Sequence, residues 1–153
     1  MDIVPINWLA VIAASLSSFI IGAVWFGPKT FYPVWMKALG RKWPVDGAEP
    51  IKMNAGETAL LFGGTYVAAL VQVVTLAVVI GFGQLMFADF GPMTGALMGF
   101  VLSVGFGAFG SLSHRLFGQA DHNGINALKV WLIEVGQDVV ALTVAGVILG
   151  AWL

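Results

Sequence analysis

Apolar residues fill four stretches of the chain: about Ile6 to Phe26, Thr58 to Phe82, Met93 to Ser113 and Ala127 to Trp152. Each is long enough to cross a hydrocarbon layer of about 30 Å, which takes about 20 helical residues. None shows the polar–apolar alternation of a barrel strand. The pattern therefore predicts an all-α integral membrane protein, a four-helix bundle of transmembrane spans. Gly27-Pro28 ends the first span, as a Gly-Pro pair ends a helix. A short turn from Gln84 to Pro92 joins the second and third, and the polar stretch Gly118 to Asn126 joins the third and fourth.

The first connection has a pattern of its own. Between residues 29 and 40, Phe31, Tyr32, Trp35, Met36 and Leu39 recur at helical spacing, with Lys37 on another face. This predicts a short amphipathic helix at the membrane interface, its apolar side at headgroup level. Gly40 is its expected stop. Residues 44–50 read as an irregular loop. Trp25, Trp35, Trp43, Trp131 and Trp152 fall near span ends or in interface segments, where belt residues sit.

Composition agrees with lipid as the solvent. Of 153 residues 59% are hydrophobic and 10% charged, against about 25% charged in soluble domains. The length fits one domain. A net charge of −1 gives no basic face for nucleic acid. Without cysteine there is no disulfide, thiolate site or cysteine nucleophile. No Lys or Arg precedes Lys29, so the first apolar run reads as a retained helix rather than a leader. The seven basic residues are Lys29, Lys37, Arg41, Lys42, Lys52, Arg115 and Lys129. All lie in or beside the first and third connections. The positive-inside rule then places loops 27–57 and 114–126 in the cytoplasm, with both termini and the Gln84–Pro92 turn outside.

Small residues mark expected contact faces, because close backbone approach, not hydrophobicity, joins helices in lipid. Gly91, Gly95, Gly99, Ser103, Gly107 and Ser111 recur every fourth residue of the third span. Ala10, Ala14, Ser18 and Gly22 do so in the first, and Gly146 and Gly150 in the fourth. Packing inside the bundle is the expected use. The same stripes would also suit a homo-oligomer or a larger membrane partner.

Ionisable groups within a span are costly and so nominate a functional site. The fourth span carries Glu134, Gln137 and Asp138. The two acids stand one turn apart on one face. From an entry near Ala127, Asp138 lies roughly 16 Å deep at about 1.5 Å per residue. Gln72 of the second span is expected to face them, and His114 and Arg115 close the third. Two such carboxylates, about 6 Å apart, repel if both ionise. One reading is that the pair holds a proton and exchanges it with the cytoplasm through His114. The other is scaffolding, with Glu134 paired to Arg115 or Lys129 and Asp138 bonded to Gln72 or backbone. No metal or cofactor site is expected. His114 and His122 are eight apart beside Asp121, which matches no ligand spacing. Ser15, Ser17 and Ser18 lack a histidine partner for nucleophilic catalysis.

The segments Asn7-Trp8-Leu9-Ala10-Val11, Gly22-Ala23-Val24-Trp25-Phe26-Gly27-Pro28 and Trp35-Met36-Lys37 resemble a widespread family of small bacterial four-span membrane proteins filed as a domain of unknown function. Ser113-His114-Arg115-Leu116-Phe117 and Gly146-Val147-Ile148-Leu149-Gly150-Ala151-Trp152 are similar too. The resemblance covers nearly the whole chain. It implies four helices in a bacterial inner membrane and implies no activity. The residues themselves leave three readings open. They are a binding or proton-coupled transport module at the fourth-span acids, an accessory subunit docking through the third-span stripe, and a membrane enzyme on a lipid or isoprenoid using His114 and an acid.

Overall fold

The computed structural model describes residues 6–41, 53–118 and 123–152. Trp43, the 44–50 loop, Asp121 and His122 lie outside these. The described helices are α1 (Trp8–Trp25), α2 (Tyr32–Ala38), α3 (Ala55–Met86), α4 (Pro92–Leu102), α5 (Phe109–Gly118) and α6 (Gly124–Ala151). A π-helical segment, Ser103–Ala108, joins α4 to α5, so these three make one continuous span. Four helices are long and apolar enough to cross a membrane: α1, α3, the α4–α5 unit and α6.

Asparagine starts three of them. The side chain of Asn7 accepts from the N–H groups of Leu9 and Ala10, and that of Asn123 from Ile125 and Asn126. Asn54 accepts from Glu57 N–H while Glu57 accepts from Asn54 N–H, a reciprocal capping box. That box starts α3 three residues before the expected Thr58. At 32 residues, α3 is about 48 Å long and overruns the hydrocarbon layer. Proline begins α4 at its first position, where its missing N–H costs nothing.

Helix α6 touches every other element. On one side it meets α1 and α3, and Ala10, Val11, Ala14, Val73, Leu76, Ala77, Ile80, Ala145 and Leu149 bury one another there. On the other side it meets α4 backbone to backbone. A Cβ on Gly95 would strike the carbonyl oxygen of Gly146, one on Gly99 that of Leu142, and one on Gly150 that of Gly91. The third-span stripe is thus spent inside the bundle as far as Ser103, which is buried. Beyond it the expected period of four fails. The π segment has more residues per turn than an α-helix, so the next buried position is Ala108 and Gly107 turns outward, with open space at its Cβ position.

Two of the five tryptophans expected at span ends or in interface segments, Trp131 and Trp25, turn toward protein rather than lipid. Trp131 is buried and its indole donates to the carbonyl of Ala108 at 2.9 Å. Trp25 donates to the carbonyl of Ile133 at 2.9 Å, its ring lying where a Cβ on Gly136 would come within 3.0 Å. Both act as inter-helix struts rather than belt residues. An indole N–H has no acceptor in hydrocarbon, and a facing carbonyl supplies one.

The chain reverses after α1 through Thr30, whose hydroxyl meets the carbonyls of Val24 at 2.6 Å and Trp25 at 2.7 Å. Helix α2 follows. Its apolar side folds onto the protein instead of lying wholly among headgroups. Met36 and Ala38 are buried, Phe31 stacks on Trp25 and Trp35 meets Phe26 edge-on. It ends as expected at Gly40 (φ 71°). The N–H groups of Gly40 and Arg41 return to Lys37 and Met36, the paired bonds of a Schellman stop.

The ends of the molecule differ. At one, Asn7 donates to the carbonyl of Trp152 at 3.1 Å, and Gly91 touches Gly150. The α1 start, the α3–α4 turn and the α6 end therefore lie together. Lys29, Lys37, Arg41, Arg115 and Lys129 belong to segments at the opposite end, here called the basic end.

Candidate functional site

Helix α3 packs in its second half only. Its buried residues run from Val73 to Gly83, while Leu60, Leu61, Phe62 and Val67 are exposed. Toward the basic end it therefore stands off from α1 and α6, bridged to α1 by the edge-on contact of Tyr66 with Phe19. The space left is a cleft of about 480 Å³. Gln72 enters it from α3, Gln137 and Asp138 from α6, and Phe19 and Phe26 from the α1 side. Gly22 has no side chain, and the Gln137 amide occupies the neighbourhood a Cβ there would touch.

A second cleft, of about 270 Å³, lies on the other side of α6. Gly107 and Ser111 line it with His114, Arg115, Glu134 and Asp138. The π segment builds this wall, since it brings Gly107 and Ser111 off the packing face and into the cleft. A π-bulge at such a place is a common feature of functional sites.

The two acids have different surroundings. Glu134 is held by Arg115, whose Nη2 is 2.6 Å from Oε2 and 2.7 Å from Oε1. Trp35 of α2 also donates its indole N–H to Glu134 Oε1 at 3.0 Å. Arg115, Glu134 and Trp35 thus join α5, α6 and α2 in one polar tie. Lys129 is not its cation. Asp138 is different. It is the fifteenth of the 28 residues of α6, and it lines both clefts. Among the described residues it has no hydrogen bond or ion pair, to Gln72 or to any other group, and its carboxylate oxygens are not sealed from the cleft space.

The structure thus brings Gln72, Gln137 and Asp138 to one cleft, and His114, Arg115, Glu134 and Asp138 to the other. His114 shares a cleft with both acids and hydrogen-bonds to neither. Among the described residues no three His, Asp or Glu side chains gather as a metal would require. The pairing of Trp35 with Glu134 is not legible in the sequence. The amphipathic-helix spacing of Trp35 is visible, but nothing in it shows that α2 folds back onto α6. The place of Phe19, Phe26 and Phe62 in the cleft is equally hidden, because aromatic residues in an apolar run look like any others.

A family model described as a protein of unknown function (DUF1761) matches residues 9–150. No curated protein and no solved structure matches the chain.

Proposed function

The chain belongs to that family of unknown function, spanning most of its length, and from this footing we propose that it is a multi-pass membrane protein that binds a solute within the bilayer and exchanges it for a proton at Asp138. One observation carries the reading: Asp138, at mid-helix, lines a cleft on each side of α6 and has no partner among the described residues. An uncompensated carboxylate inside a membrane costs several kcal/mol. A proton or a cation must therefore accompany it, and the two can trade places.

Glu134 has the opposite role in this proposal. Arg115 already neutralises it and Trp35 fixes it, so it anchors the second cleft rather than exchanging protons. That cleft opens beside Arg115 and His114 toward the basic end, which the positive-inside rule assigns to the cytoplasm. It is the proton's route to Asp138, and the larger cleft is the solute's.

Infrared difference spectroscopy on the full chain in bilayers tests this. A pH step is expected to change a carboxyl C=O band that shifts in D₂O, vanishes in Asp138→Asn and persists in Glu134→Gln. A carboxyl signal unchanged by Asp138→Asn, or one that belongs to Glu134, would overturn the assignment.

A further inference from the structure

We propose that the larger cleft takes an amphiphilic organic cation, drawn from the lipid between α1 and α3. The inference rests on Asp138 as the exchanging acid and adds the class of solute. Charge comes first. Among the described residues, Asp138 is the only acid or base lining the cleft besides the phenol of Tyr32, and no Lys, Arg or His lines it. An anion would find no counter-charge there, and a neutral solute would not displace the proton from the acid.

The walls then decide what kind of cation. Phe19, Phe26, Tyr32 and Phe62 line the same cleft as the acid. Ring faces attract organic cations, most strongly where water is excluded. An inorganic ion would need several oxygen ligands about it: a hard divalent cation takes about six, and no group of three acids or histidines stands in the described residues. The volume of 480 Å³ is far larger than a bare ion and falls within the range of about 300–1,000 Å³ typical of sites for drug-sized molecules. Gln72 and Gln137 add amide oxygens that accept from any N–H the cation carries.

The entrance points to lipid. Leu61 is 53% and Phe62 56% exposed, and both line the cleft from the unpacked half of α3. A solute reaching Asp138 by this route passes between apolar side chains, so it must be partly apolar itself. Charge balance sets the stoichiometry at one proton leaving for each monovalent cation bound.

The experiment titrates tetraphenylphosphonium into the full chain in phosphatidylcholine nanodiscs, with empty nanodiscs subtracted. Tetraphenylborate, of the same shape and opposite charge, is the control. Saturable tetraphenylphosphonium binding is expected, with proton release into weak buffer. It should weaken tenfold or more in Asp138→Asn and severalfold in Phe62→Ala, an exposed position whose truncation leaves the core intact. Tetraphenylborate should not saturate. Absence of saturable binding, equal binding of both ions, or binding indifferent to both substitutions would overturn the proposal. The two readings fail separately. An Asp138 infrared band without cation binding removes the solute class alone. Asp138-dependent cation binding without proton release removes the exchange and leaves the cation site.

Discussion

Two kinds of glycine stand in this chain, and side-chain size separates them. Gly95 and Gly146 oppose each other so closely that a methyl on either meets the other's carbonyl oxygen. Nothing lies within 4 Å of a Cβ built on Gly63. Gly95→Ala is therefore expected to destabilise the bundle by about 1–3 kcal/mol, the usual cost of overpacking. Gly63→Ala should be neutral or stabilising by up to about 1 kcal/mol, from helix propensity. Thermal or SDS unfolding of the two variants in parallel would decide it, and equal effects would contradict the packing described. The stripe holding Gly95 was legible in the sequence because four-residue spacing is a backbone signal. Its partner helix was not, since any small-residue face fits any other. The acids show the same limit. Spacing placed Glu134 and Asp138 on one face and offered Arg115 or Lys129 as a partner for the first, but only the fold selects Arg115, adds Trp35 and leaves the second open.

At the scale of elements, the π segment decides how the third span is used. It rotates the chain between Ser103 and Ala108, carries Ala108 inward and frees Gly107 and Ser111 to line the smaller cleft. Trp131 secures this turn by donating to Ala108. Replacing Trp131 by Phe keeps a ring but removes the donor, and should cost about 1 kcal/mol, the net worth of a typical hydrogen bond. Trp8→Phe, at a position 60% exposed, should fall within about 0.5 kcal/mol of the parent. The comparison is again an unfolding measurement, and a Trp131→Phe variant as stable as Trp8→Phe would mean the strut is idle. No sequence rule announced the π turn. Small residues four apart extend through it without interruption, and one extra residue in a turn leaves the composition unchanged. The start of α3 is written in the sequence. Asn54 followed three residues later by Glu57 is the spelling of a capping box, but hydropathy rises only after it, so a boundary set by hydropathy falls three residues late, at Thr58.

For the whole molecule, the four apolar runs were enough to count the spans, because only a helix satisfies its own backbone across a bilayer. Their arrangement needed the structure: α6 at the centre, α1 and α3 on one side, the α4–α5 unit on the other. That placement makes one acid face two clefts. The direction of any exchange then depends on which end faces the cytoplasm. Charge offers a physical answer, since basic residues cluster at the end carrying Lys37 and Arg115 while the opposite turn carries Asp89. The absence of cysteine makes this testable without background. In intact cells, a membrane-impermeant maleimide should label an Asp89→Cys variant directly, and a Lys37→Cys variant only after permeabilisation. Both side chains are exposed, so access rather than burial controls the result. The reverse pattern would turn the molecule over, and the smaller cleft beside Arg115 would then deliver protons from outside. Labelling of both positions in intact cells would mean that copies insert in both directions, in which case neither cleft has a fixed side and the exchange proposed at Asp138 would have no net direction.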